Sequence, residues 1–181
     1  MDLQIPKIIH YCWFGENPLS DEAIHCIESW KKYFPDYQIV QWDESNFAFS
    51  KCDYAKEAYE SKKWAFVSDY ARFKILYEHG GIYFDTDVEV IKSFDDILEN
   101  GPFFGKERSP ESFKMINPGL GMAAFPRMKF YEEVVDYYEK IHYDPEEHIT
   151  ICDHVTKMFQ ENGYKGVNEL EVIGGITLYP T

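Results

Sequence analysis

Ala65 to Val90 reads AFVSDYARFKILYEHGGIYFDTDVEV, a helix, a stop and a strand in succession. Helical patterning runs from Trp64 to His79, and Gly80-Gly81 supplies the stop, because glycine enters the backbone conformations that end a helix. Ile82 to Val90 then alternates as a strand and is broken at Asp85-Thr86-Asp87. At about 100° per residue, Asp69 and Arg72 share a face with Ala65 and Leu76 that is otherwise apolar and points inward. Burying two charges is costly unless partners compensate. Two readings of the pair stay open: an internal salt bridge at i, i+3 spacing, or a pair that fixes hydroxyls of a polar ligand at the sheet edge.

Outward from this stretch, the chain keeps alternating strands and helices. Lys7 to Phe14 is a buried first strand between Pro6 and Gly15. Ser20 caps a helix through Tyr33, with Asp21 and Glu22 opposing its dipole, and Pro35 follows its end. Tyr37 to Trp42 reads as a strand and Tyr54 to Ser61 as a short helix. Downstream, Phe103 to Gly105 and Gly121 to Phe125 read as strands, and Arg127 to Ile141 and Asp153 to Glu161 as helices. Leu170 to Tyr179 holds two short strands around Gly174-Gly175. This order predicts one α/β domain over residues 1–181, with a mainly parallel sheet flanked by helices.

Composition narrows the function. The 181 residues are 45% hydrophobic and 18% aromatic, which makes a folded protein with a sizeable core. The net charge of −14 repels phosphate backbones and argues against nucleic acid as a partner. It leaves room for a diphosphate bridged by a divalent metal. Cys12, Cys26, Cys52 and Cys152 form no C-x-x-C pair and read as free thiols of a reducing compartment. The N-terminus has no apolar signal segment and no run is long enough to span a bilayer, so the cytoplasm is the expected location, with association at the inner membrane face left open. His142, His148 and His154 read as surface or helix-end residues, not ligands.

The D-x-D carries the chemistry only in context. Thirteen aspartates in 181 residues produce about one D-x-D by chance. Asp85 and Asp87, however, stand at the C-terminal end of an apolar strand, where open α/β sheets bind ligands. Two carboxylates on a strand-to-turn bend reach one hard cation, Mn2+ or Mg2+, which completes its shell with phosphate oxygens. The alternative is a solvated turn that ends the strand. There is no Ser-His-Asp or Cys-His set and no phosphate-cradling G-x-x-x-x-G-K-[ST] loop, so a phosphoryl transferase lacks its loop. A glycoside hydrolase needs two carboxylates with separate roles about 5 to 10 Å apart, which Asp85 and Asp87 do not readily provide.

Ala65 to Val90, preceded by IPKIIHYCWFG at Ile5 to Gly15, resembles glycosyltransferase family 32, the sugar-binding D-x-D type that includes mannosyltransferases and enzymes of capsule and lipopolysaccharide synthesis. Its layout is also similar to that of the clostridial glucosylating toxins. The resemblance rests on S-D-x-x-R and G-G-I-Y-x-D-x-D at this spacing behind I-H-x-x-W-x-G, and covers about a fifth of the chain. It implies a GT-A-like fold, a nucleotide-sugar donor (a UDP-hexose or GDP-mannose), metal dependence, retention at the anomeric carbon, and a glycan or lipid-linked saccharide as acceptor. It also implies roles. Trp13 stacks on the base, Asp69 and Arg72 hold sugar hydroxyls, and Tyr83 lines the donor site. Asp85 contacts ribose or sugar and Asp87 ligates the metal, so Asp85, Asp87 and Arg72 are the catalytic candidates. Family members continue with a His- and Trp-containing segment that nothing here matches. The expectation is therefore a domain short of its C-terminal segment, and the competing class is a non-catalytic nucleotide-sugar-binding module.

Overall fold

The computed structural model describes residues 4–107, 114–146 and 149–181. The chain opens with β1 (Ile8–Cys12), α1 (Asp21–Tyr33) and β2 (Gln38–Trp42). A 3-10 turn (Phe49–Lys51), α2 (Asp53–Glu60) and α3 (Trp64–His79) lead into β3 (Gly81–Tyr83). There follow α4 (Asp95–Leu98), β4 (Phe103–Lys106), β5 (Ile116–Ala124), α5 (Lys129–Tyr138), α6 (Ile151–Glu161), β6 (Glu171–Ile173) and β7 (Ile176–Tyr179). Ser20 caps α1 as its sequence predicts, accepting from the Ala23 amide. For α6 the start lies earlier than expected, at a Thr150–Asp153 capping box.

Among the described residues, seven strands form one sheet in the order β2-β1-β3-β5-β4-β7-β6. The α/β expectation is met, but the sheet is mixed. β1 runs parallel to β2 and β3, and β4 to β7, whereas β3–β5, β4–β5 and β6–β7 are antiparallel. The β6–β7 link is the two-residue Gly174-Gly175 turn, which can only reverse the chain. Parallel pairing survives where helices intervene, between β1, β2 and β3.

Alternation along β1 and β3 divides the core between the two faces of the sheet. Ile9, Tyr11, Ile82 and Phe84 pack with Cys26, Ile27 and Trp30 of α1. Cys12 and Tyr83 join the larger cluster built with α2, α3, α5 and α6. Gly80 and Gly81, both at positive φ (66° and 97°), turn α3 into β3. A Cβ on Gly81 would lie 2.6 Å from the Ile8 carbonyl oxygen, so β3 can enter beside β1 only through glycine. The strand expected over Ile82 to Val90 is short, because the chain folds into a turn closed by the Val88 amide on the Asp85 carbonyl at 3.1 Å.

Two buried polar residues hold this frame. Trp42 Nε1–H donates to His10 Nδ1 at 3.0 Å, so His10 carries its proton on Nε2 and donates to the Gly80 carbonyl, also at 3.0 Å. Lys106, whose side chain is fully buried, pairs with Glu171 at 3.0 Å and donates to the carbonyls of Val167 and Glu169, fastening the segment before β6 onto β4.

Candidate active site

Because β1 and β3 are parallel neighbours, their C-terminal ends meet at one edge, and β2 lies on the far side of β1. That is a topological switch point, where strand ends leave a crevice. A cavity of about 440 Å³ opens there. Cys12, Trp13, Phe14 and Asn17 form one wall, Trp64, Ala65, Ser68 and Arg72 of α3 a second, and Asp85, Thr86 and Asp87 a third. A further hollow of about 490 Å³ shares Trp13 and Asn17 and is otherwise polar, with Gln41, Asp43, Glu44 and Ser45. Half-buried Trp13 therefore separates two spaces, and its indole is pinned by donation to the Asn17 carbonyl at 2.7 Å.

Arg72 is the hub. Its Nη1 lies 3.2 Å from Asp85 Oδ2, its Nη2 lies 3.1 Å from Asp69 Oδ1, and its Nε donates to the Ser68 carbonyl at 3.0 Å. Tyr83 donates its hydroxyl to Asp85 Oδ1 at 2.9 Å, and the guanidinium carbon stands 5.1 Å from the centre of its ring. Asp69 and Arg72 thus do form the i, i+3 salt bridge, and Arg72 also reaches across to the D-x-D. Burial pushes the Asp69 carboxyl up to about 7; Arg72 opposes that rise and the Asp85 charge adds to it. Burial also works against the Arg72 charge, but Asp85 leads the groups that restore it, ahead of Asp69. The guanidinium is shared between the two carboxylates at nearly equal distances. The Tyr83 phenol is driven far above its ordinary range by burial and then by Asp85, so it stays a donor.

The two aspartates of the motif differ. Both oxygens of Asp85 are engaged by protein, whereas exposed Asp87 makes no hydrogen bond or ion pair with the described residues. A divalent cation fits this donor set: a free carboxylate beside a second one, on a cavity wall with room for phosphate oxygens. No group of three or more His, Cys, Asp or Glu able to hold a metal occurs among the described residues. Asp69 and Tyr83 stand behind Arg72 and Asp85, off the cavity wall. Trp64 and Ser68 on that wall were assigned no role from the sequence, although both lie on the stripe of α3 that ends in Arg72, at successive i+4 steps, and Ser68 opens the S-D-x-x-R run.

Two of the three histidines set aside earlier, His142 and His154, stay apart from this site. His142 is exposed, with Nδ1 2.8 Å from Glu57, and His154 stacks on Tyr137 with ring centres 3.8 Å apart. His148 lies outside the described residues. Cys12, Cys26 and Cys52 are free and buried, and Cys152 is free and partly so.

Residues 20–104 match the family described as "Glycosyltransferase sugar-binding region containing DXD motif". This segment, with α3, β3 and the D-x-D, is a glycosyltransferase sugar-binding region. The chain is also similar, over a longer stretch, to named relatives. Identity is 36% over 123 residues to inositol phosphoceramide mannosyltransferase 3 of Schizosaccharomyces pombe, covering 66% of this chain and 33% of that protein. It is 29% over 148 residues to a mannosyl phosphorylinositol ceramide synthase of Saccharomyces cerevisiae, covering 78% of this chain and 38% of that one. The chain therefore spans between a third and two fifths of the length of these two relatives. The fold is that of the GT-A glycosyltransferases. PaToxG glycosyltransferase superposes with a TM-score of 0.63 at 20% identity, over 87% of this chain and 70% of that chain.

Proposed function

We propose that this chain is the donor-binding core of a metal-dependent glycosyltransferase that moves a hexose from a nucleotide sugar to a hydroxyl of a glycan or lipid-linked saccharide. The observation that carries the reading is the convergence of Trp13, Arg72, Asp85 and Asp87 on one cavity at the switch point of the sheet. Asp87, with Asp85 beside it, would hold Mn2+ or Mg2+, which as a Lewis acid offsets the negative charge that builds on the departing diphosphate. Trp13 offers its indole face to the base, with the adjoining polar hollow beside it. Arg72 and Asp85 turn a charged, hydrogen-bonding surface to the sugar hydroxyls. Asp69 and Tyr83 hold those two groups in place from behind, the first by its ion pair and the second by its hydroxyl.

The relatives' names favour mannose, hence GDP-mannose, as the first donor to try. They also point to a lipid-borne acceptor, whereas a role in surface polysaccharide rests on the family resemblance alone. The same resemblance supports retention at the anomeric carbon, and the free thiols of Cys12, Cys26, Cys52 and Cys152 fit work in the cytoplasm, at the inner membrane face when the acceptor is lipid-linked. No helix among the described residues is long and apolar enough to cross a membrane. The test is turnover of GDP-mannose, UDP-glucose, UDP-galactose and UDP-GlcNAc, each with Mn2+ and with chelator, with the anomer of the product read by NMR. Metal-dependent loss of one donor with a retained anomer is expected. Binding of a donor with no turnover on any acceptor would reduce the protein to a binding module. Release of sugar from simple glycosides without nucleotide would make it a hydrolase.

A further inference from the structure

β5 carries the sequence Asn117-Pro118-Gly119-Leu120 past the D-x-D bend, and there the two segments touch. The Asp85 amide donates to the Gly119 carbonyl at 3.1 Å. A Cβ built on Gly119 would fall 2.2 Å from Asp85 Oδ2 and 3.2 Å from its Cγ. No side-chain carbon tolerates an oxygen at that distance, so the space that Asp85 occupies is the side chain Gly119 lacks. The oxygen concerned is the one paired with Arg72. Gly119 is itself fixed, because its amide donates to the Asn117 side-chain oxygen at 2.9 Å. Its φ lies outside the left-handed region, so an alanine there meets the carboxylate without added backbone strain.

We infer that Gly119, held by the side chain of Asn117, is a positioning residue for the Asp85 carboxylate. It supplies the vacancy that lets Oδ2 face Arg72 while Oδ1 accepts from Tyr83. Any larger residue turns the carboxylate out of that double contact and spoils the sugar-facing surface. The inference rests on the proposed donor role of Asp85, and its geometric half can be tested apart from that role.

The experiment is a double-mutant cycle on the full chain, with Gly119→Ala, Asp85→Ala and the pair, read first by thermal unfolding. Gly119→Ala should lower Tm by roughly 2 to 8 °C in the wild-type background, the usual effect of overpacking. It should lower Tm by no more than about 1 °C once the carboxylate is gone. If Asp85→Ala does not fold, Asp85→Ser removes the same oxygen. The second reading is the affinity for GDP-mannose and the UDP-sugars with Mn2+, by calorimetry. Gly119→Ala should weaken the best of them at least about tenfold, the equivalent of about 1.4 kcal/mol. An equal Tm loss in both backgrounds overturns the inference. So does full donor affinity in Gly119→Ala when Asp85→Asn weakens it. If Asp85→Asn binds donors as wild type while the stability coupling holds, the donor role of Asp85 is what fails, and the functional meaning of the positioning falls with it.

Discussion

Arg72 divides three guanidinium nitrogens among three oxygens, on Ser68, Asp69 and Asp85, in a place where water hardly reaches. Lysine has one ammonium and no planar fork, so it cannot serve all three. Arg72→Lys should therefore lower Tm and also weaken donor binding about tenfold or more per folded molecule. Calorimetry on the folded fraction checks it, and normal affinity there would make Arg72 a structural residue only. Half of this was legible beforehand. The helical wheel of Ala65 to Leu76 shows Asp69 and Arg72 facing inward together. That Arg72 also bridges to Asp85 depends on the placement of α3 against the end of β3, which no local periodicity encodes. For the same reason the inequality of Asp85 and Asp87, one engaged and one free, could not be read from D-x-D.

β1, β2 and α3 meet at His10, and this junction sets where the site-bearing ends lie. His10 bonds Trp42 on one side and the Gly80 carbonyl at the end of α3 on the other. Burial lowers its pKa to about 4, with the Gly80 bond opposing and His79 adding to the fall. The folded value is thus below the unfolded value, so the neutral ring stabilises the fold at high pH. That contribution is lost as pH falls from about 6.5 toward about 4. Asp69, raised to about 7, has the opposite slope over much of this window, so the wild-type curve alone mixes the two. The difference between wild type and His10→Gln removes the Asp69 part. Wild type should lose about 2 kcal/mol relative to the variant between pH 7 and pH 5, measured by urea unfolding. A constant difference would show that His10 titrates normally. At this scale the elements themselves were legible, because Ser20, Gly80-Gly81 and Gly174-Gly175 punctuate the chain by chemistry that acts locally. The shortness of β3 was not, because it comes from bonds that Asp85 makes with β5 and within its own turn.

The molecule as a whole joins a parallel half, β2-β1-β3, to a mixed half built on β5 and β4. The parallel half was readable because helices α1 to α3 alternate with its strands. In the mixed half only β4–β7 is parallel, so fewer pairings are parallel than expected, because pairing across β3–β5 is a long-range choice. The field of the molecule follows from sequence alone: at a net charge of −14, any diphosphate binds against general repulsion unless a cation stands between. Exposed Asp87, with no protein partner among the described residues, is the carboxylate free to hold that cation, and its removal should leave the core untouched. The most direct measurement is therefore the affinity of wild type and Asp87→Ala for GDP and UDP, each titrated with Mn2+ and with chelator, alongside their unfolding temperatures. Wild type should bind one of the two at least about tenfold more tightly with Mn2+. Asp87→Ala should lose that gain while keeping a Tm within about 2 °C of wild type, as expected for an exposed side chain. Binding indifferent to the metal, or a metal effect that survives in Asp87→Ala, would contradict the account.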